Sequence, residues 1–199
     1  MMAKRLLDLM IALTLLLVLS PCLILAALAI RLDSSGPICY RSPRLGRNGK
    51  RFGLYRFRTV DIQRPATLPM AQRLTPVGRF IRHHSIDDLP NLFNVLCGDL
   101  SIIGPRPMEP ERVDLADPVW QQILSVRPGI VSPAILQLGR AYNNSSMERK
   151  QQLELAYVQQ QSLGDDLRYL WWGIQRFFVT KGNWKRGAPQ LEETDGVGE

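Results

Sequence analysis

The sequence predicts an α+β protein that is mainly helical and has a membrane segment at its N-terminus. Residues 9–30 are apolar apart from two hydroxyl side chains. Helical spacing of apolar residues appears at 75–85 and again at 153–178. Residues 33–60 are short apolar pieces separated by Gly, Pro and Asn, which predict turns and one short hairpin with 51–57 as its second strand.

The apolar segment 9–30 is long enough for a membrane helix. At 1.5 Å per residue it reaches roughly 33 Å, and a bilayer core is about 30 Å thick. Ser20 and Pro21 fall in its middle, where proline removes a backbone donor and clashes with the preceding turn. A helix that breaks there has two halves of about 17 Å, each as long as one leaflet is thick.

The charges that flank this segment are positive on both sides, which gives no inside–outside asymmetry. A re-entrant helix-break-helix hairpin, with both ends on the cytoplasmic face, accommodates the proline and the charges together. A kinked ordinary span is the alternative. A cleaved signal peptide is disfavoured because the apolar run is too long and no A-x-A site follows. The flanking residues are Lys4, Arg5, Arg31, Arg41, Arg44, Arg47 and Lys50.

Length and composition bound the rest of the chain. Its 199 residues carry a formal net charge of +7, which favours an anionic partner: nucleic acid, a membrane surface or a phosphorylated substrate. The three cysteines are far apart and form no CxxC pair, so reduced thiols are favoured over a disulfide or zinc site. We expect a re-entrant membrane helix over 1–32, a small cytosolic domain over 33–188 and a disordered acidic tail over 189–199.

The late helical region ends in LRYLWWGIQRFFVTK, residues 167–181, which mixes tryptophans with cations. An amphipathic helix of this composition lies in a membrane interface, or packs its apolar side on a core. The sequence leaves both open.

Two adjacent acids, Asp87 and Asp88, precede Pro90 and an apolar helical pattern. Because proline is tolerated in the first turn of a helix, we expect the helix to begin at one of the acids, with that acid as N-cap. In the first interpretation the acids only stabilise the helix N-terminus, by about 1 kcal/mol. In the second, one ionised aspartate attacks phosphorus and the other binds a divalent metal.

The second interpretation requires cations, because two carboxylates would repel a diphosphate. Arg82 lies just before the acids. Arg106 lies in a turn made rigid by Pro105 and Pro107, and a planar guanidinium suits a phosphate clamp. Simple chain reversal is the other explanation for this turn.

These motifs, taken in order, resemble the bacterial sugar transferases, the monotopic polyprenyl-phosphate phosphoglycosyl transferases. The resemblance covers most of the chain, and its most specific part is GRFIRHHSIDDLPNLFNVLCGDLSIIGPRP at 78–107. The other matching pieces are KRLLDL at 4–9, Ser20-Pro21, RLGRNGKRFGLYRFRT at 44–59, VRPGI at 126–130, LGR at 138–140 and SLGDDLRYL at 162–170.

The resemblance implies an enzyme that moves a sugar-1-phosphate from a UDP-sugar to a polyprenyl phosphate, usually undecaprenyl phosphate, and releases UMP. It places the enzyme at the cytoplasmic face of the bacterial inner membrane, at the first membrane step of glycoconjugate or polysaccharide assembly. The implied partners are the UDP-sugar, the polyprenyl phosphate and the membrane, with no nucleic acid. A homodimer through the later helices is left open.

The resemblance also implies roles for the two acids. Asp87 matches the nucleophile, which would form a covalent aspartyl-phosphosugar in a ping-pong order. Asp88 matches the second acid of the family's pair and would hold Mg²⁺ together with Asp87. Ser20 and Pro21 match the residues that break the membrane helix.

Four arginines match family positions in the same way. Arg56 and Arg106 match residues near the phosphates. Arg82 matches a residue that links the catalytic region to the membrane helix, and Arg140 matches an arginine of the later block. We expect all four to serve substrate or phosphate binding.

Three departures from the family pattern bear on these expectations. Asp88 replaces the usual Glu, which pulls the carboxylate back by roughly 1 Å, a shift that can cost catalysis heavily. Residues 131–140 read VSPAILQLGR, and Ser42 replaces the usual Gln. The altered stretch leaves the sugar open. Asp88 and residues 131–138 motivate an alternative: a non-catalytic, membrane-held paralogue that binds a nucleotide-sugar or a partner protein. A nucleic-acid binder is disfavoured by the membrane segment and by the lack of a recognised motif.

Overall fold

The computed structural model describes residues 2–179, and its contacts divide the chain into two compact units. The first unit consists of residues 2–44 and 51–100, and the second of residues 45–50 and 101–179. The described part is mostly helical, as the sequence predicts, and it contains two small two-stranded sheets, of which the sequence predicts one. The predicted tail, 189–199, lies outside the described residues.

The first helix, α1 (Met2–Asp33), runs without interruption through Pro21. The predicted break into two helices at Ser20-Pro21 is therefore not what the structure gives. Proline at position 21 removes the N–H that would bond to the carbonyl of Leu17, four residues earlier. The Ser20 hydroxyl donates to that same carbonyl over 2.8 Å, which satisfies the group the proline leaves open. The re-entrant course through a membrane stays a prediction.

Helix α1 is the one helix of residues 2–179 that is long and apolar enough to cross a membrane. Most of its apolar side chains are exposed, for example Leu17 at 75 % and Leu25 at 67 %. So large an exposed apolar surface requires a non-aqueous surrounding. This surface indicates membrane association.

Two arginines tie the ends of α1 to the rest of the first unit. Near its start, Arg5 donates to the carbonyls of Val95 and Leu96 over 2.8 and 3.2 Å. After its end, Arg58 donates to the carbonyls of Ser34 and Ser35, each over 2.6 Å. Arg58 is buried, and its third bond reaches Ile30, inside the last turn of α1. Carbonyls at helix ends have few or no helical partners, so these guanidinium groups supply further hydrogen bonds there.

The remainder of the first unit consists of one small sheet and three short helices. Its elements are β1 (Cys39–Leu45), β2 (Arg51–Phe57), α2 (Met70–Arg73), α3 (Pro76–His83) and α4 (Asn91–Cys97). Strands β1 and β2 pair, and β2 covers the predicted second strand. A connection this short permits only an antiparallel pair.

The core of the first unit joins α1 to the small sheet and α3. It consists of Ala26, Ile30, Phe57 and Ile81. Helix α1 also contacts α4. The membrane helix is thus part of the folded unit and not an appended anchor.

The second unit is built around two short parallel strands and four helices. Its elements are β3 (Ser101–Ile103), α5 (Pro118–Ile123), β4 (Gly129–Val131), α6 (Pro133–Leu138), α7 (Met147–Gln160) and α8 (Leu163–Val179). Ser101 lies opposite Gly129, and Ile103 lies opposite Val131. A Cβ atom on Gly129 would lie 2.1 Å from the backbone nitrogen of Gly104, so this close approach requires glycine.

The predicted helical region 153–178 is two helices, α7 and α8. They separate at Ser162. The Ser162 hydroxyl accepts the N–H of Asp165 over 3.1 Å, so this residue is the N-cap of α8. One face of α8 packs inward through Asp166 and Tyr169, both 3 % exposed. The other face leaves an apolar row exposed, formed by Leu163, Leu167, Trp171 and Ile174.

Gly78 supports a first prediction, because it sets how closely α3 approaches the end of β2. A Cβ atom at Gly78 would lie 2.0 Å from the carbonyl oxygen of Thr59, a backbone atom that cannot turn away. We expect Gly78→Ala to lower the free energy of unfolding by roughly 1–3 kcal/mol, as overpacking does. Thermal unfolding in detergent measures the loss.

Gly164→Ala is the matched control, since a Cβ there meets only the Ser162 hydroxyl, at 3.7 Å. The control should leave the melting temperature unchanged or raise it, because alanine favours the helix. Equal melting temperatures for the Gly78→Ala and wild-type proteins would contradict the close contact.

Candidate active site

The two acids lie in a 3₁₀ turn and not at the end of a helix. The turn is Ile86–Asp88, and α4 begins three residues later at Asn91, with Pro90 in the capping position. The predicted N-cap role of Asp87 or Asp88 is therefore wrong, since neither side chain caps α4. The backbone N–H groups of the turn bond to carbonyls instead, as in Leu89 N–H to Ile86 over 3.2 Å. Both carboxylates are left for other partners.

Ser85 begins this turn with φ 56° and ψ 24°, the left-handed conformation. Few residues other than Gly, Asn and Asp adopt it, so it is held here by the surrounding fold. The bend ends the helix α3 and sends the chain directly into the two acids.

The partner of both acids is Arg56, which lies near the end of β2. Its Nε donates to Asp88 Oδ1 over 2.8 Å, and its Nη2 lies 2.5 Å from the same oxygen. The same Nη2 lies 3.5 Å from Asp87 Oδ2. The Asp87 side chain is 5 % exposed, whereas that of Asp88 is 43 % exposed. One guanidinium thus joins a buried carboxylate to an open one.

Burial and the neighbouring Asp88 raise the pKa of Asp87 above its ordinary value. Arg56 and Arg82 oppose this rise by their positive charges. The two arginines thus favour the ionised form of Asp87, whereas burial and Asp88 favour the protonated form. Arg82 itself lies in the last turn of α3.

Asn94, in α4, holds the strand that carries Arg56. Its Oδ1 accepts the N–H of Tyr55 over 2.9 Å, and its Nδ2 donates to the carbonyl of Gly53 over 2.9 Å. The Asn94 side chain is fully buried. It fixes β2 against the helix that follows the acids. Sequence reasoning missed this residue, although a polar side chain within an apolar helical pattern is a visible signal.

The other two predicted arginines lie in the second unit. Arg106 follows β3, and its guanidinium lies over the ring of Tyr142, 5.3 Å from the centroid. Lys150 approaches the same ring, with Nζ at 4.8 Å. Arg140 is exposed, in the 3₁₀ segment Gly139–Asn144 that also carries Tyr142. The sequence did not point to Tyr142 or Lys150, because only folding brings them to Arg106.

A sequence model of the family described as "Bacterial sugar transferase" matches residues 1–180. The chain belongs to the bacterial sugar transferase family. The predicted family and the predicted enzyme class, a transferase of phosphosugars, are confirmed.

Similar proteins fall into two size classes. The chain is 37 % identical over 202 residues to "Uncharacterized sugar transferase EpsL" of Bacillus subtilis (strain 168). This match covers 100 % of this chain and 98 % of that protein. It is 36 % identical over 191 residues to the "Undecaprenyl-phosphate glucose phosphotransferase" of Komagataeibacter xylinus, covering 88 % of this chain and 36 % of that protein. It thus spans nearly all of the first relative and about a third of the second.

A third relative differs in the sugar it is named for. The chain is 34 % identical over 172 residues to the "UDP-N-acetylgalactosamine-undecaprenyl-phosphate N-acetylgalactosaminephosphotransferase" of Aeromonas hydrophila, covering 82 % of this chain and 41 % of that protein. Relatives named for different sugars match this sugar transferase at similar identity. Overall similarity therefore does not select a donor.

The acids of this sugar transferase suit magnesium in one particular way. The described residues contain no group of three or more His, Cys, Asp and Glu side chains that could hold a metal alone. Mg²⁺ is commonly bound by one or two carboxylates together with substrate phosphates and water. Asp87 and Asp88 fit that arrangement, and Arg56 would share Asp88 with the ion.

Arg56 supports a second prediction, on stability and pH. Asp87 has a raised pKa, so its contribution to folding is full at low pH and is lost as the pH rises through that pKa. Removing Arg56 removes a cation that lowers the pKa of Asp87, so more stability is lost as the pH rises. We expect Arg56→Gln to be destabilised relative to wild type by roughly 1–2 kcal/mol at pH 8, because the ion pair is partly exposed, and by less at pH 5.

Melting temperatures of the two proteins across pH 5–8 measure this difference. Arg168→Gln is the control, since Arg168 is 74 % exposed in its pair with Asp165 and such pairs contribute at most about 1 kcal/mol. A deficit of Arg56→Gln that is the same at every pH would show that Arg56 does not act on the charge of Asp87.

Proposed function

We propose that this sugar transferase moves a sugar-1-phosphate from a UDP-sugar to undecaprenyl phosphate and releases UMP. The observation that carries the proposal is the buried Asp87 carboxylate, joined through Arg56 to Asp88, in a chain of this family. The names of its relatives support the two substrates. The product would serve as the first lipid-linked intermediate of glycoconjugate or polysaccharide assembly.

The proposed nucleophile is Asp87. An oxygen of its carboxylate attacks the phosphorus that carries the sugar, the anhydride bond of the diphosphate breaks, and UMP leaves with the bridging oxygen. The covalent aspartyl-phosphosugar is then attacked by the phosphate of undecaprenyl phosphate, which restores the carboxylate. Burial favours this role because a carboxylate stripped of water is a stronger nucleophile.

Other groups of the first unit would neutralise the charge of the diphosphate and of the acids. Asp88, together with Asp87, would hold Mg²⁺, which when bound neutralises charge on the diphosphate. Arg56 and Arg82 favour the ionised form of Asp87 by their positive charges, and Arg56 would meet a phosphate that approaches the acids. In the second unit, Arg106 and Arg140 are proposed to bind phosphate or substrate, as the family pattern implies.

The proposed location is the cytoplasmic face of the bacterial inner membrane. A re-entrant course would require α1, which is continuous in the structure, to turn near Ser20 and Pro21 inside the membrane. The exposed apolar row of α8 would lie at the headgroup level, where a tryptophan beside cations is favoured. A lipid phosphate at that level would then be close to the catalytic domain.

The alternative is a non-catalytic, membrane-held paralogue that binds a nucleotide-sugar or a partner protein. Asp88 and the unusual stretch 131–138 favour it. The structure gives that stretch a packing role, because it contains α6, whose Pro133, Ala134 and Leu136 are buried. Its departure from the family pattern is therefore compatible with an active enzyme.

UMP release separates the two functions. The purified protein in nanodiscs receives undecaprenyl phosphate, Mg²⁺ and a panel of UDP-sugars. We expect release with one or a few donors, lost on chelation and reduced at least 10³-fold in Asp87→Asn, because the amide is not a nucleophile. Asp114→Asn is the control, because it makes the same chemical change at an exposed position away from the acids. Folded protein that binds UDP-sugars and turns over none would instead support the non-catalytic paralogue.

The membrane course is tested by labelling. If α1 is re-entrant, single cysteines at residue 2 and residue 40, in a variant without the three natural cysteines, are both shielded from an impermeant thiol reagent added to intact cells. Both become reactive when the inner membrane is opened. Labelling of one site in intact cells would show a single span instead.

A further inference from the structure

The second unit contains a glutamate that is buried completely and that the proposed chemistry does not use. Glu154 lies in the middle of α7 and is 5 % exposed. Burying a carboxylate is costly unless it accepts hydrogen bonds. The hydrogen-bond partners of Glu154 therefore indicate its role.

One oxygen of Glu154 joins three parts of the second unit. Glu154 Oε1 accepts the backbone N–H of Arg106 over 3.0 Å and the hydroxyl of Ser132 over 2.6 Å. The Ser132 oxygen in turn accepts the N–H of Ile135 over 3.2 Å, which caps α6. A continuous chain of hydrogen bonds thus runs from α6 through α7 to the residue predicted to bind phosphate.

The side chain of Arg106 is held separately from its backbone. Its guanidinium is exposed and lies over Tyr142, so it is presented to solvent on an aromatic support. The hydrogen bond from the Arg106 N–H to Glu154 helps to hold the backbone from which the Arg106 side chain extends. A shift of the turn would move the guanidinium with it.

Several charged or titratable groups surround Glu154. Burial raises its pKa from 4.5 to about 7, and the bonds from Ser132 and Arg106 oppose that rise. The elements packed against α7 include α5 and α6, which have no titratable residue within their bounds, and α8, whose Asp166 accepts the Tyr157 hydroxyl over 2.6 Å. The groups that face or flank Glu154 are Arg106, Tyr142, Tyr169 and, on α7 itself, Lys150.

We infer that Glu154 is the positioning residue of Arg106 and that its ionised form is the one that supports turnover. The inference rests on the proposed function, since Arg106 matters only if the protein binds a phosphorylated substrate. An ionised carboxylate accepts stronger hydrogen bonds than a neutral carboxyl group. The ionised form therefore holds the Arg106 turn and the α6 cap more firmly, and protonation loosens both.

The stability of the protein provides the first test. The pKa of Glu154 is raised on folding, so its contribution to stability is full below about 4.5 and is lost as the pH rises to about 7. Glutamine does not titrate. We expect the melting temperature of wild type minus that of Glu154→Gln to fall between pH 4.5 and pH 8. A constant difference would show that Glu154 does not titrate in this range and would overturn the inference.

Turnover provides the second test. The quantity to measure is kcat/KM for UMP release by wild type divided by that of Glu154→Gln, at each pH. Titration of the substrates and of Asp87 affects both proteins alike and drops out of this ratio. We expect this ratio to rise with pH around 7 and to level off at about tenfold, roughly the effect of one weakened interaction. Glu148→Gln makes the same change at an exposed position of α7 and should give a ratio near one at every pH.

Ser132→Ala keeps the inference testable if the glutamine variant does not fold. It removes a hydrogen-bond donor that lowers the pKa of Glu154, so the midpoint of the kcat/KM profile should move to higher pH. An unmoved midpoint would overturn the role of Glu154.

The two proposals fail in different ways. Wild-type protein that is silent with every donor overturns the proposed function, and the role of Glu154 in turnover with it. Active wild-type protein whose ratio to Glu154→Gln does not change with pH overturns the role of Glu154 alone.

Discussion

Two adjacent carboxylates of this protein share one cation, because the Arg56 guanidinium contacts both of them. Without a cation, a buried aspartate beside a second acid would take up a proton and lose its nucleophilic character. Arg56 lies in β2 and the acids lie after α3, so the site exists only when strand and turn are held together. Asn94 does this by bonding to the backbone of β2 on either side of Leu54.

The membrane helix is bound into the same unit by arginines and not by apolar contacts alone. Arg58, two residues after Arg56, satisfies the carbonyls at the end of α1. Arg5 satisfies those at the end of α4. A displacement of α1 in the membrane would therefore act on the strand that carries Arg56 and on the helix that follows the acids.

The second unit repeats this use of buried charge. Glu154 is held by hydrogen bonds from a turn and from a helix cap, as Arg58 is held by helix carbonyls. Buried ionisable groups are costly, and apolar residues would give a more stable core. In both units the buried group lies within two residues of, or bonds directly to, a predicted phosphate-binding arginine.

The sequence by itself determined the membrane segment, the strand 51–57, the helical class and the family, because periodicity, length and contiguous motifs are local properties. It also placed Asp87 and Asp88 together, since they are neighbours in the chain. It could not give the partner of the acids, because Arg56 is 31 residues away from Asp87 and meets it only through tertiary contacts. It misplaced the helix start for a related reason: Pro90 is compatible with several first turns, and the left-handed Ser85 selects one. The continuity of α1 through Pro21 was also missed, and the bond from the Ser20 hydroxyl to the carbonyl that Pro21 leaves open is one that no pattern of hydropathy encodes.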